Sequence, residues 1–154
     1  GVAQESLAQS QYEQIRASLS QEIADGLAKV EREGEKVLIR LAEQGSFDSG
    51  QAALKGEFEA LLDRVGVSLA GAGGLVTIEG HTDDVALGLG SRYRSNWDLS
   101  AARAAAVADY LLNGDYVEAG KLNVLGLAET RPIADNSTLT GRASNRRIEI
   151  IVNN

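Results

Sequence analysis

The chain has no cysteine and no methionine, and it carries a single histidine and a single proline in 154 residues. Without cysteine, disulfides and thiolate metal sites are excluded, while the compartment stays open because reducing and oxidising environments both tolerate that absence. Methionine is missing even at position 1, and we expect a processed or truncated piece of a longer protein. No apolar run approaches the roughly 18 residues of a membrane span, and no signal-peptide pattern opens the chain. Basic residues are also in short supply: 15 Lys and Arg against 22 Asp and Glu leave a net charge of −7. Phosphate-backbone binding wants a basic footprint, so no nucleic-acid partner is expected. What is present is a globular composition, 44% hydrophobic and 24% charged, without internal repeats. The length suits one domain of ordinary size plus an appended element.

Tyr12, Ile15, Leu19, Ile23, Leu27 and Val30 recur at spacings of three and four, which predicts one amphipathic helix from about Ser6 to Glu33. Such a stripe fits either packing on its own domain or pairing with a second copy. Residues 1–35 are therefore expected to form an N-terminal amphipathic helix and linker, and residues 36–154 the main domain. Lys36 to Ala42 reads as a strand, GSFDSG as a loop whose Phe47 plugs the core edge, and Ala52 to Leu69 as a helix ended by the glycines around 71–74. Leu75 to Glu79 alternates as a strand, and residues 84–94 form an apolar, glycine-bearing loop. A helix follows from about Asn96 to Asn113, with Ser95 and Asp98 spaced as an N-cap. Tyr116 to Lys121 reads as a helical turn, Asn123 to Leu127 as a strand, Arg131 to Arg142 as a polar loop and Arg147 to Val152 as a closing strand. The order βαβαββ after a leading helix predicts an α+β fold, with helices packed on a small mixed sheet.

The chemistry concentrates around one misplaced cation. Arg103 sits four residues from both Leu99 and Val107, on or beside the buried face of its helix. A guanidinium there must find an anion or carry the cost of unpaired desolvation. The nearest candidate is Asp83, in GHTDD at the end of the preceding strand. A plain buried salt bridge would satisfy both, but Thr82, Asn96, Ser100, Asn145 and Arg146 cluster with them, and a bare ion pair does not need such company. His81 with Asp83 and Asp84 is too small a set for a zinc shell. Ser100 with His81 lacks the surroundings of an activated nucleophile. No metal, cofactor or catalysis is expected, and His81 is read as holding the strand-end loop by hydrogen bonds. In the last strand Arg146, Ile148, Ile150 and Val152 share one face, while Arg147 and Glu149 share the other, expected to be solvated.

GHTDD (80–84), NWDLSAARAAAV (96–107) and GRASNRRIEI (141–150), in that order and spacing, resemble the OmpA-like C-terminal domain. Members of that family bind peptidoglycan non-covalently in the bacterial periplasm. The strand and helix from about Val37 fit the family's opening βα unit, and residues 1 to about 35 lie outside the resemblance. GSFDSG, the SNWDLSAARA form of the helix motif and the long lead-in helix look like flagellar stator B-subunits of the MotB/PomB type. Type VI secretion anchors of the TssL type are similar. The resemblance implies an OmpA-like sandwich and a ligand, the diaminopimelate side chain of the peptide stem, whose free end carries an ammonium and a carboxylate on one carbon. Carried over by position, Asp83 would take the ammonium and Arg103 the carboxylate, with Thr82, Asn96, Leu99, Ser100, Asn145 and Arg146 lining the pocket. It further implies a periplasmic homodimer held to the inner membrane by an upstream span. The implied partners are a stator A-subunit and other periplasmic flagellar ring proteins. The loop 84–94 is longer and more apolar than the short polar form common in the family, and is expected to cover part of the site.

Overall fold

The computed structural model describes residues 2–70 and 73–154, with side chains from residue 7 onward. Its elements are α1 (Val2–Ser18), α2 (Ser20–Ala24), β1 (Ala28–Glu33), β2 (Lys36–Ala42), α3 (Gly56–Leu69), β3 (Leu75–His81), α4 (Asn96–Asn113), β4 (Leu122–Gly126), α5 (Leu139–Asn145) and β5 (Arg147–Asn153). A single turn of 3-10 helix precedes β4. The strands form one mixed sheet in the order β1-β2-β5-β3-β4, in which β3 and β4 run parallel and the other neighbours antiparallel.

Alternation along the strands sends every second residue inward. Val37, Ile39 and Leu41 of β2, Val76 and Ile78 of β3, and Ile148, Ile150 and Val152 of β5 form one apolar core with Phe58, Leu62 and Val65 of α3 and Val107 and Leu111 of α4. Burying each such side chain contributes about 2 kcal/mol. The helix of residues 96–113 and its Ser95 cap stand as the sequence predicts, the Ser95 hydroxyl accepting from the Asp98 amide. The turn at 71–74 falls partly on residues 71 and 72, which lie outside the described residues.

Two expectations need correction. The continuous helix over residues 6–33 is instead α1, α2 and a strand. Leu19 leaves helical geometry, α2 stops at Ala24, and Ala28–Glu33 pairs along its whole length with β2. The apolar period switches from 3.6 to 2 inside that segment, and Val30 fits both. The hairpin turn Gly34-Glu35 has Gly34 at φ +60°, the glycine-first two-residue loop that strand twist favours. Ile15 and Leu19 of the stripe are fully buried in the shared core. Arg64 of α3 ion-pairs with Glu22 at 2.9 Å and donates to the Ser18 carbonyl. Of the two fits for the stripe, packing on its own domain is the one observed. The second correction is α5, which lies partly within the stretch read as a polar loop. Its Thr138 hydroxyl caps it by accepting from Gly141 N at 2.9 Å.

The topology fixes where charged residues meet. β2 and β3 flank β5, each antiparallel to it, so their C-terminal ends and the N-terminal end of β5 lie along one sheet edge. Arg147 is in register with both Ala42 and His81. Glu43, Asp83 and Arg146 therefore emerge side by side. α4 closes against this edge because Gly80 has no side chain: a Cβ there would collide with the Ser100 carbonyl oxygen.

Candidate functional site

Four charged groups form a continuous chain at that edge. Asp83 Oδ2 accepts from Arg146 Nη1 at 2.8 Å, and Arg146 Nε donates to Glu43 Oε1 at 3.0 Å. The second Glu43 oxygen accepts from Arg103 Nη1 at 2.7 Å. Arg103 thus meets an anion, as its burial requires, but that anion is Glu43 and not Asp83. Arg103 is further pinned by donating Nε to the Gln51 carbonyl at 2.7 Å and Nη2 to the Asp48 carbonyl at 3.1 Å. Its guanidinium lies 4.7 Å from the centroid of Phe47, so the aromatic read as a core plug also supports the cation. Burial opposes the charge on Arg146, but hydrogen bonding to Asp83 and the attraction of Glu43 outweigh it and raise that guanidinium's pKa above its ordinary value.

Neutral groups hold this chain in place. Asp83 Oδ1 accepts from Val85 N at 3.0 Å, tying the acid to its own loop. The Thr82 hydroxyl donates to the Asp83 carbonyl at 2.8 Å, and Asn96 at the start of α4 donates Nδ2 to the Val85 carbonyl at 3.0 Å. The groups open onto a cavity of about 670 Å³. Thr82, Asp83, Asn96, Leu99, Arg103, Arg146 and Glu43 line it, and the loop from Val85 to Arg92 forms its outer wall. That loop therefore borders the site as expected, and it brings Arg92, an exposed cation, to the rim.

Two residues assigned to the pocket do not reach it. Ser100 is buried, donates to the Trp97 carbonyl at 3.1 Å and accepts from Ala128 N at 3.1 Å, which fastens α4 to the segment after β4. Asn145 is wholly buried. Its Oδ1 accepts from Ile133 N and Ala134 N, and its Nδ2 donates to the Ala134 carbonyl and to Asn136 Oδ1. Both organise the loops behind the site. Glu43 was missed: it lies one residue beyond a strand that runs parallel to the strand ending at GHTDD, and only the strand order brings it to Arg103.

His81 does not hold the strand-end loop. It lies on the opposite sheet face, with Nε2 at 3.0 Å from Glu79 Oε1 and Nδ1 buried without a hydrogen-bond partner. Beside it Arg147 and Glu149, expected in solvent, are buried against each other because the loop before α5 covers them. Arg147 donates to Glu149, to the Asn145 carbonyl and to the Arg131 carbonyl. Ligating atoms of Glu79, His81 and Glu149 lie within 4.8 Å of one another, but Arg147 and Arg40 already neutralise Glu149. Burial pushes the Glu149 carboxyl pKa up, yet the hydrogen bond and charge of Arg147 outweigh it and hold it below the ordinary 4.5.

Residues 46–146, which contain every element of the site except Glu43, match the model of the OmpA family. The chain belongs to the OmpA family. Within this family it is similar to the uncharacterized protein YtxE of Bacillus subtilis, with 32% identity over 94% of the chain and 61% of that protein. Motility protein B of the same organism is 29% identical over 94% of the chain and 57% of its own length. The peptidoglycan-binding protein ArfA of Mycobacterium tuberculosis is 41% identical over 69% of the chain and 31% of ArfA. The chain thus spans about three-fifths or less of the length of these OmpA-family relatives. Among solved structures, the cell wall anchor of the type VI secretion system of Pseudomonas aeruginosa superposes with a TM-score of 0.80 at 35% identity, covering 90% of this chain and 95% of that one. A putative MotB-like protein from Desulfovibrio vulgaris gives 0.84 at 26% identity, covering 97% and 98%.

Proposed function

We propose that this OmpA-family chain is a non-catalytic, periplasmic peptidoglycan-binding domain that anchors a flagellar motor stator complex to the cell wall. Its ligand is the diaminopimelate of the peptide stem. The observation that carries the reading is the cavity whose lining presents carboxylates and guanidiniums alternately, Asp83–Arg146–Glu43–Arg103. An amino-acid head group has the same two charges on one carbon and is gripped at both ends by such a pair of opposed groups. Asp83 receives the ammonium, and Arg103 with Arg146 receives the carboxylate. The similarity to the peptidoglycan-binding protein ArfA and to Motility protein B supports the wall ligand and the motor setting respectively. In the full-length protein an upstream membrane span, a stator A-subunit, periplasmic flagellar ring proteins and a second copy complete the assembly. Ile15 and Leu19 are buried in the core and are not free to serve a contact between copies.

Co-sedimentation with purified sacculi tests the binding. Wild type should pellet with the wall, and Asp83→Asn or Arg146→Ala should lower the bound fraction by at least about tenfold with the melting transition retained. Full retention by both folded variants would refute the site. A secretion-system anchor is the second reading, favoured by the 35% identity to the Pseudomonas aeruginosa cell wall anchor. Loss of swimming against loss of secretion on deletion of the gene separates the two.

A further inference from the structure

We infer that Glu43 makes this site select a zwitterion over a simple anion, by exchanging its arginines for the ligand's ammonium. The inference rests on the diaminopimelate reading above. Glu43 is positioned as a built-in carboxylate ligand: one oxygen on Arg103 Nη1 at 2.7 Å, the other on Arg146 Nε at 3.0 Å. It holds the guanidinium edges that an incoming carboxylate needs. Its own backbone amide is fixed by donating to the Arg146 carbonyl at 3.0 Å, so the side chain can turn without the strand end moving.

The chain Asp83–Arg146–Glu43–Arg103 holds two negative and two positive charges and is neutral as it stands. A ligand that brought only a carboxylate would displace Glu43 and leave it without a cation in a largely desolvated place, which is costly. A ligand that brought only an ammonium would strip a carboxylate from an arginine with the same result. A head group with both charges lets every ion pair re-form: its carboxylate takes the arginine edge, and the released Glu43 joins Asp83 in accepting the three ammonium N–H bonds. Glu43 is thus a specificity-determining residue, and its charge sets how much the ammonium matters.

The test uses two peptides ending in meso-diaminopimelate: an N-acetylated tripeptide stem with the distal amine free, and the same peptide with that amine acetylated. Calorimetric titration of the folded wild type should favour the free amine by at least about tenfold. Glu43→Gln, nearly isosteric, should shrink that preference to about twofold, chiefly by strengthening the acetylated peptide, whose carboxylate no longer strands a charged Glu43. An unchanged preference in Glu43→Gln overturns the role of Glu43 alone. Failure of the wild type to bind either peptide overturns the diaminopimelate reading and this inference with it. A measurement without substitution runs in parallel: the carboxyl carbon-13 resonance of Glu43 should move on adding the free-amine peptide to wild type. A bound peptide that leaves that resonance in place also overturns the exchange.

Discussion

The sheet carries two clusters of ionisable residues, one at the cavity edge and one on the opposite face, and they are built from sequence neighbours. Arg146 belongs to the first and Arg147 to the second; Asp83 belongs to the first and His81 to the second. The difference lies in what closes each circuit. Arg147 spends its donors on Glu149 and on two backbone carbonyls, and it is almost without solvent contact. Arg146 spends its donors on two side-chain carboxylates, and a third of its side chain is exposed toward a cavity. The side-chain partners of Arg146 beside open space can be exchanged for a ligand, whereas the backbone carbonyls that hold Arg147 cannot leave. Arg103 is likewise pinned by two carbonyls and has only the edge facing Glu43 to exchange. Charge alone would have rated the two clusters alike.

Removing Arg147 should expose this contrast most strongly. Arg147→Ala strands Glu149 with Arg40 alone and leaves two carbonyls without a donor. A loss of about 3–5 kcal/mol is expected in urea denaturation. Arg146→Ala, which removes a more exposed group, should cost about 1–2 kcal/mol in the same measurement while losing wall binding. A larger loss for Arg146→Ala than for Arg147→Ala would erase the distinction.

Asn145→Ala sharpens the contrast from the structural side. It leaves the amides of Ile133 and Ala134 without their acceptor, for about 2 kcal/mol, yet sacculus retention should persist at temperatures where the variant is folded. Loss of retention by the folded variant would return Asn145 to the pocket.

The smallest effect is the acid limb of stability. Glu149 and Glu22 both titrate below their ordinary 4.5 in the folded protein, Glu149 through Arg147 against the opposing effect of burial and Glu22 through its hydrogen bond from Arg64. Between the lowered folded pKa and the unfolded pKa, the unfolded chain binds more protons. Their contribution is therefore fully present above pH 4.5 and drains away as pH falls through the lowered values. Melting temperatures from pH 7 to pH 3 should decline more gently in Glu149→Gln than in wild type, after allowance for its lower starting point. An identical decline would detach Glu149 from acid stability.

Much of this was legible where the signal is local. The capped helix from Asn96 to Asn113 and the apolar row of Ile148, Ile150 and Val152 announce themselves by period and cap, and both stand as read. Asp83, Arg103 and Arg146 were recognisable as one neighbourhood because a buried cation demands company. The pairing within it was not, because Glu43 reaches Arg103 only through the order of strands, which no local pattern encodes. Strand β1 hid inside a helical stripe, since Val30 falls three residues after Leu27 for a helix and two after Ala28 for a strand, and so fits both periods. Arg147 and Glu149 looked like a solvated face for the same local reason, and only the distant loop carrying the Arg131 carbonyl buries them.

The strand order has a consequence in time. β5 is the last of the five strands to be synthesised and the one that sits in the middle, with β1-β2 on one side and β3-β4 on the other. Without it, no strand joins β1-β2 to β3-β4, and the edges of β2 and β3 that it pairs would carry bare hydrogen-bonding groups. The insertion of β5 joins them, and the residue that leads it in is Arg146, the link between Asp83 and Glu43. Completion of the sheet and of the Asp83–Arg146–Glu43 link therefore depends on the same stretch of chain.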